Sequence, residues 1–200
     1  MTPTSSTLEP ADVGRRAAEI LERMQAHPLW ERFTASSMKY SPCWATYTGM
    51  PAISKFDLNR DGQPLLVEAM RALALKAAVY DLTDGDEQAS ELLLPLPVDD
   101  MVHAVLAQHT VMSHIERDLH VLFPHDTALE DFAYFGGCDT DLYYSAAGWG
   151  EQPSRYWLDT AEVDQRIAHL NNLYGSVGIT AGGRSHNIDF DAMFAEPTAV

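Results

Sequence analysis

Residues 64–82 read PLLVEAMRALALKAAVYDL, and this stretch decides the fold class. It opens with proline, which fits the first position of an α-helix because the N–H that proline lacks would have no partner there. Alanine and leucine dominate the rest, and both are strong helix formers. Apolar residues lie on nearly every side of the resulting helix, so we expect it to lie at the centre of a hydrophobic core.

Further helices are predicted from apolar spacing and from signals at helix ends. Thr127 with Glu130, and Asp159 with Glu162, have the spacing of a capping box, which satisfies backbone groups at the start of a helix. Residues 40–63 contain the prolines and glycines typical of a connection. The predicted helices span residues 9–26, 28–37, 64–82, 98–122, 127–134, 139–147 and 160–174.

The predicted fold class is all-α, because no segment shows the sustained alternation of a β-strand. Residues 1–175 are expected to form a single compact domain of several helices. Residues 176–200 are rich in glycine and poor in large apolar side chains, so we expect a flexible C-terminal tail.

The charge and composition of the chain disfavour two classes of protein, those that bind nucleic acids and those that span a membrane. The chain has 200 residues, with 13 Lys and Arg against 29 Asp and Glu, and a net charge of −16. This charge repels phosphate backbones and disfavours nucleic-acid binding. The best candidate for a membrane span, residues 65–79, is short and contains Glu68, Arg71 and Lys76. The N-terminus has no apolar leader and the chain has two cysteines, which favours a reducing cytoplasm.

Histidines are concentrated between residues 98 and 125. Five of the eight in the chain lie there: His103, His109, His114, His120 and His125. On one continuous helix, Asp99 and His103 lie one turn apart, as do Glu116 and His120. The same geometry predicts that His109, Glu116 and His120 lie within the apolar face, and that Asp99, His103 and His114 lie toward the polar face.

These histidines have a functional and a structural interpretation. A carboxylate and an imidazole one turn apart can share a metal ion, or the carboxylate can fix the imidazole tautomer. Two imidazoles with a carboxylate are a ligand set of non-haem iron and also suit zinc. Alternatively, His109 and His120 are hydrogen-bonded core residues and the other histidines are solvated.

A second candidate site is residues 57–68, DLNRDGQPLLVE, which match the calcium loop of EF-hand proteins. The matching residues are Asp57, Asn59, Asp61, Gly62 and Glu68. Pro64 replaces an apolar residue of that loop, and Gly49 and Pro51 interrupt the helix that would enter it. The alternative is an Asp-Gly turn before a proline-started helix, so calcium is the less favoured metal.

Aromatic residues cluster between residues 141 and 159. They are Tyr143, Tyr144, Trp149, Tyr156 and Trp157. Such a cluster can line a pocket or an interface, but tyrosine and tryptophan more often pack in a core with the polar tip hydrogen-bonded. Neither Cys43 nor Cys138 has the neighbours of a reactive thiol.

Residues 95–126 read PLPVDDMVHAVLAQHTVMSHIERDLHVLFPHD. This stretch resembles the core motif of the glycine-rich-domain-containing-protein-like family, in which Val-Asp-x-x-Trp-His precedes a threonine and then a histidine pair. The matching residues are Val98, Asp99, His103, Thr110 and His125. Val102 replaces the tryptophan of the motif, and Asp126 replaces the second histidine.

A later part of the chain extends the resemblance. Trp149, Gly150, Pro153 and Trp157 are similar to an aromatic-Gly-x-x-Pro-x-x-x-Trp pattern of the family. The family supplies no established reaction. The resemblance implies a helical domain in which Asp99, His103 and His125 converge in space.

Two functions are consistent with these observations. The first is a protein that binds zinc or iron through Asp99, His103 and His125, with His109, Glu116 and His120 as alternative ligands. Whether such a protein is an enzyme stays open. The second is a non-enzymatic protein that binds a protein partner through its acidic surface or its C-terminal tail. Residues 187–194, NIDFDAMF, are acidic and hydrophobic, a composition that can dock as a short helix in a groove.

Overall fold

The computed structural model describes residues 8–47, 52–126, 128–129, 131, 133–176 and 187–194, without the side chains of residues 41–47. These residues form nine α-helices and no β-strand, which confirms the all-α prediction. None of the described helices is both long and apolar enough to cross a bilayer. The helices are α1 (Pro10–Gln25), α2 (Trp30–Tyr47), α3 (Leu58–Leu82), α4 (Glu87–Ser90), α5 (Leu96–Leu106), α6 (His109–Leu119), α7 (Asp139–Ala146), α8 (Thr160–Gly175) and α9 (Phe190–Phe194).

Helix α3 is the central helix and packs against α1, α2, α4, α5 and α7. Its residues are buried on nearly every side, as the sequence predicts. The helix begins earlier than predicted, however, because the Asp57 carboxylate accepts a hydrogen bond from the Asn59 N–H and caps the start. Pro64 therefore lies inside the helix rather than at its first position, where it removes one backbone hydrogen bond.

The bounds of α1 agree with the prediction to within one residue at each end. This helix packs closely on α7. Gly14 lies at the contact, where an added Cβ atom would be 2.4 Å from the backbone carbon of Ala146. Only glycine permits this approach. Helix α2 extends to Tyr47, so the prediction that residues 40–63 form a connection is wrong for both ends of that stretch.

The predicted helix over residues 98–122 is two helices. Helix α5 ends at Leu106, and α6 begins at His109 after a turn at Ala107 and Gln108. Helix α6 ends at Leu119 and is followed by the capping residue His120, whose φ of 54° is left-handed. Azimuths calculated along one continuous helix therefore do not apply across the turn.

The helix predicted over residues 127–134 is not seen in those residues of the range that the structure describes. Thr127 and Glu130, its capping pair, lie outside the described residues, and residues 128–129, 131 and 133–135 are not helical. Helices α7 and α8 agree with their predictions. The Asp159 side chain does not cap α8, because its carboxylate accepts a hydrogen bond from the Gly136 N–H at 2.8 Å.

The C-terminal segment is described at residues 176 and 187–194 only. Helix α9 lies on the domain, with Phe190 fully buried. Phe190 therefore packs on the domain of residues 1–175, although it lies in the segment of residues 176–200 that the sequence predicts as a tail. The flexibility of that tail stays a prediction.

Candidate metal centre

Two histidines from different parts of the chain meet at one end of α5. His103 lies in its last turn, and His125 follows Pro124 in the segment after α6. Their Nε2 atoms are 3.1 Å apart, and their rings are nearly perpendicular, with an interplanar angle of 74°. The His103 side chain is 33% exposed and that of His125 is 14% exposed, so the pair is accessible from solvent. The structure thus brings together two residues that lie far apart in sequence.

A carboxylate lies behind each imidazole. Asp99 Oδ2 is 3.5 Å from His103 Nδ1, and Glu91 Oε1 is 3.9 Å from His125 Nδ1. A carboxylate near Nδ1 favours the tautomer that carries its proton there, which leaves the lone pair on Nε2. At 3.9 Å, Glu91 acts on His125 through its charge and not through a hydrogen bond.

This arrangement places two Nε2 atoms against each other. Two lone pairs repel at that distance, so one ring must donate its Nε2–H to the other unless a cation lies between them. For a tetrahedral zinc ion with Zn–N bonds of about 2.0–2.1 Å, the two nitrogens would be about 3.3 Å apart. The observed 3.1 Å between His103 and His125 is close to this value. The pair therefore has the spacing of two ligands on one metal ion.

Glu91 is held by a buried ion pair. Its carboxylate accepts a hydrogen bond from Lys76 Nζ, and the two side chains are 4% and 1% exposed. Glu91 also accepts a hydrogen bond of 3.4 Å from the Asp126 N–H, next to His125. Buried charges are tolerated when they are paired. The Lys76 cation therefore allows an anionic group to be buried beside His125.

A cleft opens beside His125. It has a volume of about 360 Å³, and its polar lining consists of Glu87, Glu91, His125 and Asp126. Acidic walls raise the local concentration of cations. The cleft therefore gives a cation access to this side of the histidine pair.

The three alternative ligands do not join the pair. His109 and His120 are exposed, whereas the sequence predicts them within the apolar face. The reason is the break between α5 and α6, which changes their azimuth relative to α5. Glu116 accepts a hydrogen bond of 3.0 Å from the Phe123 N–H. In the part of the chain that the structure describes, no three His, Cys, Asp or Glu side chains form a metal-binding group.

The calcium-loop interpretation is wrong, because residues 58–68 belong to helix α3. Asp61 is fully buried and accepts hydrogen bonds from Arg155 at 2.8 and 3.1 Å and from Tyr156 Oη at 3.1 Å. Burial alone would raise the pKa of Asp61, but hydrogen bonds from Arg155, Arg60 and the Asp57 N–H hold it well below its usual range. Burial and the Asp61 charge raise the pKa of Tyr156 to about 12.

Glu68, the last residue of the calcium pattern, is also buried and has protein partners. It accepts hydrogen bonds from Trp157 Nε1 at 2.9 Å, Tyr144 Oη at 3.0 Å and Arg71 Nη1 at 2.9 Å. Burial and the Glu68 charge raise the pKa of Tyr144 above its usual range. Asp61 and Glu68 therefore bind the aromatic segment to α3 rather than a calcium ion.

The aromatic cluster is part of the core, as the favoured interpretation predicts. Tyr143, Tyr144, Tyr156 and Trp157 are buried, and Trp149 is partly buried against them. The centroid of the Tyr144 ring lies 5.2 Å from that of Trp157 and 5.3 Å from that of Trp149, and both contacts are edge-to-face. Cys138 is buried and free, while the side chain of Cys43 lies outside the described residues.

Comparison with known proteins finds no relative of this chain. No protein-family model, no curated protein and no solved structure matches the chain. The resemblance to the glycine-rich-domain-containing-protein-like family therefore stays a prediction from the sequence.

Proposed function

We propose that the chain binds a transition-metal ion, zinc or ferrous iron, between His103 and His125. The observation that carries the proposal is the 3.1 Å separation of their Nε2 atoms, with a carboxylate at the Nδ1 side of each ring. Metal-bound histidines commonly donate their second ring N–H to a carboxylate, which fixes the tautomer and increases ligand basicity. Asp99 and Glu91 would have that role.

The proposal leaves coordination positions for water or another molecule. Two protein nitrogens do not complete the four-coordinate shell of zinc. A metal ion with an open position acts as a Lewis acid or lowers the pKa of bound water. The acidic cleft beside His125 would lead to that position.

The proposal is tested by metal binding to purified variants. Zinc and ferrous iron are titrated into the wild type, His103→Ala and His125→Ala, and the bound metal is measured by elemental analysis. His114→Ala is the matched control, because His114 is an exposed histidine on α6. We expect the wild type and the control to bind one ion per chain and the two other variants to lose it. Equal uptake by all four proteins, or uptake by none, contradicts the proposal.

The pH dependence of binding gives a second readout. Imidazole binds a metal ion only when it is neutral, and free histidine has a pKa of about 6.5. Metal affinity is therefore expected to fall as the pH drops through this range. A pH-independent affinity would show that the histidines are not the ligands. The alternative function predicted above, binding of a protein partner through the acidic surface or the C-terminal segment, stays a prediction.

A further inference from the structure

The segment of residues 187–194 is bound to the surface of its own domain. The Phe190 N–H donates to Ser54 Oγ at 3.1 Å, and the Lys55 N–H donates to the Ile188 carbonyl at 2.6 Å. The Phe190 ring is fully buried, 5.1 Å from the Arg166 guanidinium and edge-on to the ring of His169. We call the surface formed by Ser54, Lys55, Arg166 and His169 the Phe190 site.

Charged pairs flank the buried ring on both sides. Asp189 Oδ2 lies 2.5 Å from Lys55 Nζ, and Asp191 Oδ1 lies 2.8 Å from Arg166 Nη2. The chain has only 13 Lys and Arg against 29 Asp and Glu. Two of these few cations lie around the one buried ring of Phe190. The bound segment thus presents an acidic, an aromatic and an acidic residue in sequence to these two cations.

The domain holds this site in shape through contacts of its own. The Arg166 side chain is 4% exposed and donates to the Ala52 carbonyl at 3.0 Å and to Glu162 at 2.5 Å. Lys55 has a φ of 48°, which non-glycine residues rarely adopt, and its carbonyl accepts a hydrogen bond from Arg60. A preorganised surface lowers the entropic cost of binding a ligand.

We propose that the Phe190 site is a recognition site for peptides in which an aromatic residue lies between two aspartates, and that residues 187–194 are its intramolecular ligand. The segment contributes backbone groups, two carboxylates and one ring, and a separate peptide of the same sequence has all of these. A covalently attached ligand has an effective concentration of about millimolar. A partner peptide must therefore compete with the chain's own segment for the site.

The test uses the full-length chain and a fluorescein-labelled peptide with the sequence of residues 187–194. The double variant Asp189→Lys and Asp191→Lys places lysines against Lys55 and Arg166 and is expected to displace the segment. Both aspartates are at least one third exposed, so the exchange leaves the core intact. By fluorescence anisotropy, we expect this variant to bind the peptide at least tenfold more tightly than the wild type does.

A charge exchange identifies the site. In the Phe190→Ala background, which keeps Asp189 and therefore gives the new glutamate no lysine partner in the chain's own segment, Lys55→Glu is expected to weaken peptide binding at least tenfold, and a peptide with lysine in place of Asp189 restores it. Lys39→Glu, an exposed lysine on α2, is the control and leaves binding unchanged. Phe190→Ala vacates the site by a second route if the double variant is not folded by circular dichroism. The proposal is wrong if a folded chain with a vacated site does not bind the peptide, or if Lys55→Glu has no effect.

Discussion

Lys76 and Glu91 form an ion pair in which both side chains are almost completely buried. Glu91 Oε1 also lies 3.9 Å from His125 Nδ1. The pair thus connects the central helix α3 to the proposed metal centre. A buried lysine loses its hydration, and the carboxylate partner compensates for part of this cost. The Lys76–Glu91 pair therefore places a buried, compensated carboxylate beside His125.

Removing the cation of this pair should destabilise the fold. Lys76→Met leaves the Glu91 carboxylate buried without its counter-charge, and we expect the free energy of unfolding to fall by about 3–5 kcal/mol. Replacing both residues, Lys76→Met with Glu91→Leu, should cost much less because no charge is left buried. Urea unfolding followed by circular dichroism measures both.

Lys39→Met is the matched control, because Lys39 is exposed on α2. Its free energy of unfolding should change by no more than about 0.5 kcal/mol. If Lys76→Met is as mild as the control, the ion pair does not contribute to stability as we infer.

The carboxylate at His103 should tune the proposed metal site without being a ligand. Asp99→Asn keeps the shape of the side chain but removes the charge that favours the Nδ1–H tautomer, so zinc affinity is expected to fall about 10–100-fold. Competition with a zinc chelator measures the affinity. Asp164→Asn, an exposed position on α8, is the control. An unchanged affinity in Asp99→Asn would show that Asp99 does not orient His103.

Asp61 should give the fold a defined acid sensitivity. Its pKa is lower in the folded chain than in the unfolded chain, because Arg155 and Arg60 donate to the carboxylate. A lowered folded pKa contributes stability above the unfolded value of about 3.9, and that stability is lost as the pH falls through the folded pKa. We expect Asp61→Asn to cost about 2–3 kcal/mol at neutral pH, where the charged hydrogen bonds are complete.

The difference between the wild type and Asp61→Asn should stay constant between about pH 7 and pH 5 and shrink as the pH falls from about 5 to 2. Chemical unfolding at a series of pH values measures it. A difference that stays constant over the lower range as well would show that the Asp61 charge is not the source of the stability.

Sequence patterns predict those parts of the fold that depend on neighbours within one helix. The bounds of α1 and α8 agree with prediction because apolar spacing and end signals are local. Asp99 and His103 also have their predicted relation, because they lie within one turn of α5. The break at Ala107 and Gln108 has neither proline nor glycine, so no local signal indicates it.

Long-range pairs in the candidate site were harder to predict. No sequence pattern singles out Glu91, although Lys76 in an otherwise apolar helix indicates that a buried acidic partner exists. The sequence cannot name that partner, because the contact depends on how α3 packs against the segment after α4. Likewise, Asp61 and Glu68 match a calcium pattern. Only the tertiary structure shows that their carboxylate oxygens accept hydrogen bonds from arginine, tyrosine and tryptophan side chains.

Two glycines in helices should respond oppositely to the same substitution. Gly14→Ala adds a methyl group 2.4 Å from the backbone of Ala146, which neither helix can avoid without separating. Overpacking of this kind costs about 1–3 kcal/mol, which exceeds the gain of about 1 kcal/mol in helix propensity. At Gly62, the nearest atom is the terminal methyl of Met38 at 2.9 Å, the far end of a flexible side chain. Gly62→Ala should therefore keep the stability of the wild type or raise it, and urea unfolding of both variants measures the contrast. Equal effects at the two positions would show that α1 and α7 do not pack as closely as described.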